Sequence, residues 1–317
     1  MLSTTVVIPT FHRPAELTTA LRSILTQTRR PDELIVVDDG NLPELPLHSQ
    51  LQQAGIACRL ERKALPGLTE SRNLAIAIAT GDLLFFFDDD VELFPDYLEH
   101  TICIFEQDAA GRIGGVGGVI VNHKPVDTSR RLRRILDRLF LNSGTTEGRV
   151  LRSGFSVNYG YTGRLPDTDY RVDFLPGGVC AYRREVFSTL RFTPGYHEVA
   201  IGEDLDFSYR VGRRWRLVLT PKSRLYHFES PKMRHAPFAT GRRFILGKYL
   251  FFRDLVHGAS WDWLLFWYAC GGYLIIRLLI LAASRQGADW DRVRGVVSAI
   301  LDIARGRLPQ RAVAVPP

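Results

Sequence analysis

The stretch FFFDDDVEL, residues 85 to 93, carries three phenylalanines suited to a core and then three adjacent carboxylates. Unpaired charge is costly to bury, so Asp88, Asp89 and Asp90 must stay solvated or meet a cation. An extended backbone aims Asp88 and Asp90 to one side and Asp89 away, and two oxygen ligands on one side suit a hard divalent cation such as Mg²⁺ or Mn²⁺. The same spacing also serves as an acidic turn before a helix, for which Pro95 is a start signal. A second acidic site stands at GEDLDFSYR, residues 202 to 210. There Glu203 and Asp204 open a helix-like stretch, and the positive end of the helix dipole favours ionised carboxylates able to accept a proton.

The elements that must position these groups alternate regularly. TTVVIPT, ELIVVDDG and DLLFFFDDD are buried-strand runs, and PAELTTALRSILTQT and LTESRNLAIAIATG are amphipathic helices between them. This order predicts βαβ units and a parallel sheet, with ligands gathered at the carboxyl ends of the strands. Three strands end in polar groups, at Pro9, Thr10 and Phe11, at Asp38, Asp39 and Gly40, and at Asp88 to Asp90, and all three ends should line one crevice.

The 317 residues suffice for one large core or two modest ones, and a hydrophobic content of 45% excludes a disordered chain. The net charge of +7 points to an anionic partner. Nucleic acid is not favoured, because the arginines do not interleave with exposed aromatics as in a recognisable module. Cys58, Cys103, Cys180 and Cys270 show no metal or disulfide spacing, and a strand-like run follows the N-terminus with no secretion signal, so a cytoplasmic location is expected.

Further along, SRRLRRILDRLF at 129 to 140 sets Leu132, Ile135, Leu136, Leu139 and Phe140 beside arginines, an amphipathic basic helix that is either a solvated surface helix or a membrane-facing one. Residues 142 to 170 are rich in Gly, Ser, Thr and Tyr and predict hairpins or a mobile loop. The tail segment LLFWYACGGYLIIRLLILAA, 264 to 283, is apolar but interrupted by Arg277. On an insertion scale its Leu, Ile and Phe residues contribute on the order of −3 to −6 kcal/mol against about +3 for a central arginine. A surface-lying or re-entrant segment, a full span and a helix packed on the protein all stay open.

The segments VVIPTFHRPAELTTALRSILTQ, IVVDDG, GLTESRNLAIAIATGDLLFFFDDDVELFPDYL, PGGVCAYRREVF, GEDLDFSYRV and LYH, in this order, make the chain resemble the family 2 inverting glycosyltransferases from about Thr5 to Ser230. The resemblance implies the GT-A fold: a Rossmann-like, mostly parallel sheet flanked by helices over residues 1 to 232. Residues 233 to 317 would form a C-terminal helical region that could associate with a membrane. It implies nucleobase contacts at Pro9, Thr10 and Phe11, a base-binding carboxylate at Asp39, Arg72 near the nucleotide, and Asp88 at the ribose or the metal waters. Asp90 is implied as a direct metal ligand and His227 as a further metal or diphosphate ligand. Read singly, Asp39 could stabilise its own turn, Arg72 could pair with Glu70, and His227 could be a core histidine.

The family's base falls on the Glu203-Asp204 pair, so Asp204 is the candidate base and Glu203 a positioning group for a hydroxyl of donor or acceptor. Gly177 and Gly178 could let substrate approach the backbone or make a tight turn, and Arg183 and Arg184 could reach a diphosphate or lie in solvent. The expected activity is metal-dependent transfer, with inversion, from a nucleotide-diphosphate-sugar donor to a carbohydrate or lipid-linked acceptor at the cytoplasmic face of a membrane, in envelope glycan synthesis. A nucleotidyltransferase and a non-catalytic nucleotide-sugar-binding scaffold are the rival readings. RFTPGYHEVAI departs from the family's run ahead of the acidic pair, so the acceptor side is unusual.

Overall fold

The computed structural model describes residues 1 to 122, 131 to 161, 166 to 196, 200 to 228 and 236 to 307. The first four long strands follow from the apolar runs: β1 (Thr4–Thr10), β2 (Glu33–Asp38), β3 (Ala57–Arg62) and β4 (Leu83–Phe87). Every residue of β1, β2 and β4 is buried, as strands covered on both faces require. They pair in parallel in the order β3, β2, β1, β4, and α1 (Pro14–Leu25), α2 (His48–Gln53) and α3 (Leu68–Ile78) form the connections. Pro14 begins α1 where its missing N–H costs nothing.

Beyond β4 the sheet becomes mixed, so the parallel order read from the sequence holds for one side only. The short β5 (Val91–Leu93) leads to α4 (Tyr97–Gln107), β6 (Ile113–Ile120), α5 (Arg131–Leu139) and β7 (Tyr170–Val172). Next, β8 (Val179–Arg183) inserts between β4 and β6, antiparallel to both. The long β9 (Arg216–His227) runs parallel to β6 and pairs at its end with β5, so that His227 lies opposite Val91. That pairing brings His227 beside the aspartates, although 137 positions separate Asp90 from His227. Before β9, α6 (Glu203–Gly212) starts at Glu203 as expected.

Two apolar clusters sandwich the sheet, and a third joins the C-terminal helices α7 (Pro237–Phe251), α8 (Asp262–Ser284) and α9 (Gly287–Ala304) to Phe155. Part of the 142 to 170 stretch is a small hairpin, in which Gly148 and Leu151 N–H groups donate to the carbonyls of Val157 and Phe155. The hairpin expectation holds there; residues 162 to 165 lie outside the described residues.

Helix α5 is turned the reverse of a solvated surface helix. Its polar side faces inward, where Asp137 is buried and accepts from Arg133 Nε at 2.8 Å. Leu132, Ile135 and Leu139 are more than half exposed. Tyr268 of α8 donates to the Leu139 carbonyl, and Gly272 of α8 leaves the space that Phe140 fills. Helix α8 is long and apolar enough to cross a membrane, yet it packs Phe266, Ala269 and Cys270 into the third cluster, buries Ile276 as well, and leaves Leu264, Leu278 and Leu279 outside. Arg277 turns toward the protein and meets Asp289 of α9 at 3.0 Å.

Candidate active site

The carboxyl ends of β1, β2 and β4 meet in one crevice. The Asp39 N–H donates to the Thr10 carbonyl at 2.9 Å, and the Thr10 hydroxyl donates to Asp89 at 2.8 Å. Asp89, expected to point away from the other two, is buried and held by Arg13 at 3.0 Å, so its charge is met by a cationic side chain. Burial pushes its carboxyl up to about 6, against the pull of Thr10 and Arg13.

Asp88 and Asp90 face one side, as the extended spacing requires, and His227 joins them. His227 Nε2 lies 3.0 Å from Asp90 Oδ1 and 3.9 Å from Asp88 Oδ2. One ligand atom from each of the three residues falls within 4.8 Å of the others. Two carboxylates and an imidazole form a donor set that fits a divalent cation with several positions left for water or phosphate oxygens. Arg13 also reaches Asp90 at 3.4 Å, a contact the sequence did not signal.

The loop before β8 ties this cluster to the second acidic pair. The Gly177 N–H donates to Asp204 Oδ2 at 3.0 Å, and the Asp88 N–H donates to the Gly178 carbonyl at 3.3 Å. A Cβ on Gly177 would sit 2.9 Å from Asp204 Cβ, and one on Gly178 would fall inside the Asp88 carboxylate. Gly178 further has φ +69°, the left-handed region that favours glycine. The two glycines therefore make room for the two carboxylates themselves.

Arg72 spans the same gap from α3. It is 2% exposed, 3.5 Å from Asp88 Oδ1 and 3.6 Å from Glu203 Oε1, with Phe192 under its guanidinium. Pairing with Glu70 at the surface does not occur; Glu70 accepts from the Gly195 N–H instead. Glu203 corrects the expectation of two ionised carboxylates. Burial first, and then the adjacent Asp204 charge, push its carboxyl up to about 7, and Arg72 offsets only part of this.

Asp39 does not hold its own turn. Asp38 does so, by accepting from Gly40 and Leu42 N–H groups, while Asp39 accepts from Gly67 N–H and the Ser71 hydroxyl and lies 3.2 Å from Lys63 Nζ. Phe11 is half-buried at the strand end with its ring against His12, and Pro9 is buried within β1.

Arg183 lies elsewhere. It pairs in register with Leu83 at the start of β4, whereas Val179 pairs with Phe87 at the end next to Asp88. Four residues of strand separate the two positions, roughly 13 Å. Arg183 donates to the carbonyls of Ile113 and Phe105, and Arg184 to those of Gly81 and Ala79, so both brace the chain at the opposite end of the strands and neither reaches the crevice. The strand direction, not readable from RR in the sequence, decides this.

On the other side of Gly177 a pocket of about 290 Å³ opens beside Asp204, with Ser156 and Asn158 of the hairpin and Phe244, Gly247 and Lys248 of α7 on its wall. The C-terminal helical region thus completes the site. Gly247 permits this by letting α7 press against the Ile201 carbonyl just ahead of the acidic pair. Nothing in the sequence linked α7 to Asp204.

Solved structures with a similar fold include glycosyltransferases. The chain aligns with TarS 1–349 of S. aureus in complex with UDP-GlcNAc at TM-score 0.58 and 12% identity, covering 95% of this chain and 81% of that one. It aligns with GalNAc-T7 bound to UDP, GalNAc and Mn²⁺ at TM-score 0.57 and 19% identity, over 78% and 47%. Both likenesses show the GT-A fold. Among curated proteins, an uncharacterized glycosyltransferase of Haemophilus influenzae is 30% identical over 102 residues, 32% of this chain and 34% of the relative. Hyaluronan synthase of Pasteurella multocida is 25% identical over 237 residues, 71% of this chain and 24% of the relative. The matched part is thus about a third or less of these relatives' own length. The profile of "Glycosyl transferase family 2" matches residues 5–191, from the first strand through the Gly177-Gly178 loop, and the chain belongs to that family of glycosyltransferases.

Proposed function

We propose that the protein is a metal-dependent inverting glycosyltransferase that moves a sugar from a nucleotide-diphosphate-sugar donor to a hydroxyl of a carbohydrate or lipid-linked acceptor. One observation carries the reading: consecutive glycines seat Asp88 and Asp204 against a single turn, so that the cation cluster and a candidate carboxylate base lie next to each other across it. GalNAc-T7 with UDP and Mn²⁺ and a mannosyltransferase with GDP-Man and Mn²⁺ support a nucleotide-sugar donor and a divalent cation here.

Asp88, Asp90 and His227 would hold Mg²⁺ or Mn²⁺, which when bound neutralises the charge that develops on the leaving diphosphate. Asp204 takes the proton of the acceptor hydroxyl as that oxygen attacks the anomeric carbon on the face opposite the leaving group. The Gly177 N–H fixes the Asp204 carboxylate and leaves its other oxygen for this proton. Glu203 orients a sugar hydroxyl, and Arg72 holds Glu203 and Asp88 in place between the two halves. Pro9, Thr10 and Phe11 form the wall for the nucleobase, and Asp39, braced by Ser71 and Lys63, accepts from the base's N–H. Gly177 and Gly178 serve the substrates indirectly, through the carboxylates they admit.

The exposed apolar residues of α5 and α8, flanked by arginines, support attachment to the surface of an anionic membrane with α8 lying on it. This fits work on a membrane-linked or envelope glycan at the cytoplasmic face. Replacing Leu132, Ile135 and Leu139 by serine is expected to release the protein from anionic vesicles in a flotation assay.

Thermal shift against a panel of nucleotide-sugars, with and without Mn²⁺, tests the main reading. One donor should stabilise the protein only with the metal present, and Asp90→Asn should remove that shift while Asp204→Asn keeps it and loses transfer. Transfer surviving in Asp204→Asn would point to metal-driven nucleotidyl chemistry, and donor binding with neither transfer nor hydrolysis in the wild type would point to a scaffold.

A further inference from the structure

The pocket beside Asp204 has an unusual wall. Its lining is dominated by apolar and aromatic groups such as Phe174 and Phe244, as sugar-ring faces prefer, but it also contains Lys248. This lysine is 9% exposed. Its ammonium donates to the Ser156 hydroxyl at 3.0 Å and lies 5.6 Å from the Phe155 ring centroid and 5.7 Å from that of Phe244. An ammonium has three protons to donate, and among the described residues no carboxylate comes within ion-pair distance of it.

A buried charge with one neutral partner is expensive, and methionine would fill the same volume without the cost. Burial lowers the lysine to about 8, with the charge of Asp204, beyond ion-pair distance, offsetting part of this, and it stays mostly protonated at neutral pH. Asp90, Asp88 and His227 do not line this pocket, so the lysine is placed on the acceptor side and not at the leaving diphosphate. With about 290 Å³, close to the lower end of the ligand-pocket range of roughly 300–1,000 Å³, the space suits a single small unit.

We propose that the acceptor unit carries an oxyanion, a carboxylate or a phosphate ester, seated against Lys248 Nζ, with its reacting hydroxyl turned to Asp204. The oxyanion supplies the charge and the acceptor atoms that the protein withholds from the lysine. Ser156 then orients the ammonium, and Phe244 covers the ring. The inference rests on Asp204 being the base, and it makes Lys248 the residue that selects the acceptor.

Calorimetric titration of the full chain with D-glucose, D-glucuronate, D-glucose 6-phosphate and inorganic phosphate, without donor or metal, tests the inference. At least one anionic sugar should bind about 10- to 100-fold more tightly than glucose, the range of a charge-assisted hydrogen bond. Which of the two does so separates carboxylate from phosphate. Lys248→Met should reduce that sugar to the level of glucose, and Lys248→Arg should keep most of the preference. Equal binding of glucose, a preference that survives Lys248→Met, or no binding by either anionic sugar would overturn the proposal. Inorganic phosphate binding as tightly as glucose 6-phosphate would also overturn it, because the sugar would then go unread. Should Lys248→Met not fold, Ser156→Ala, expected to weaken the anionic sugar several-fold and leave glucose unchanged, carries the same test. Metal-dependent donor binding, measured on the same variants, stays intact if only this inference fails, whereas its absence in the wild type would fail the parent reading and this inference with it.

Discussion

Two compartments meet at Gly177 and Gly178, and they solve the problem of charge in opposite ways. On one side Asp88, Asp90 and His227 gather acidic ligands with Arg13 and Arg72 as counter-charges. On the other, Asp204 and Lys248 stand in an apolar wall with few polar partners. The donor set of the first compartment fits a divalent cation. The second is lined largely by apolar and aromatic groups around one carboxylate and one ammonium. Under the proposed function the first side takes the donor and the second the acceptor.

The strongest way to break this division is Asp204→Asn. It should lower transfer by about 10²–10⁴-fold, the worth of a positioned general base, and leave metal-dependent donor binding unchanged in thermal shift. If donor binding fell as well, the two compartments would be one.

Lys248→Met sharpens the division from the apolar side. The lysine falls from 10.5 to about 8 on folding, so its penalty is fully present below pH 8 and is relieved as pH rises to 10.5. Removing it should stabilise the protein at pH 7 by on the order of 3 kcal/mol, at about 1.4 kcal/mol per unit of pKa, with the gain fading above pH 8. Chemical denaturation at pH 7 and pH 10 reads this directly.

Asp90→Asn should cost the stabilisation that donor and Mn²⁺ confer, about 2.7 kcal/mol at a ligand concentration a hundredfold above Kd, while the unliganded Tm changes little. Gly178→Ala probes the boundary itself. Its left-handed φ and the clash with Asp88 predict a loss of about 1–3 kcal/mol with both donor binding and transfer reduced.

The smallest effect concerns Glu203. Its carboxyl rises from 4.5 to about 7 on folding, so the folded chain holds the extra proton and stability falls as pH rises through that window. Glu203→Gln should flatten the fall in Tm between pH 4.5 and 7. An unchanged slope would mean that Glu203 is not the group that titrates.

Much of the donor side was legible in the sequence, because its groups follow directly on strand ends. A run such as LLFFF marks where the apolar strand ends, and the alternation of an extended chain then sorts Asp88 and Asp90 from Asp89. Arg13 and Lys63 were missed there, since long cations near acidic loops carry no spacing signal. The acceptor side was far less legible. Its walls come from a hairpin at 148 to 157 and from α7, segments joined to Asp204 by packing and by no local pattern. Arg183 was misplaced for a related reason: residue type suggested a phosphate ligand, but the antiparallel run of β8 carries the side chain to the opposite end of the strands.

The sequence by itself determined the buried strands, the helix that starts at Glu203 and the paired aspartates, because each follows from hydrophobic period and chain geometry over a few residues. Only the tertiary structure decided that β5 and β9 pair to set His227 beside Asp90, as the family resemblance implied, that a double glycine seats two carboxylates, and that a lysine of α7 is buried with no carboxylate at ion-pair distance among the described residues. Those are properties of sheet order and of helix packing across a hundred residues or more, and short-range patterns hold no record of them.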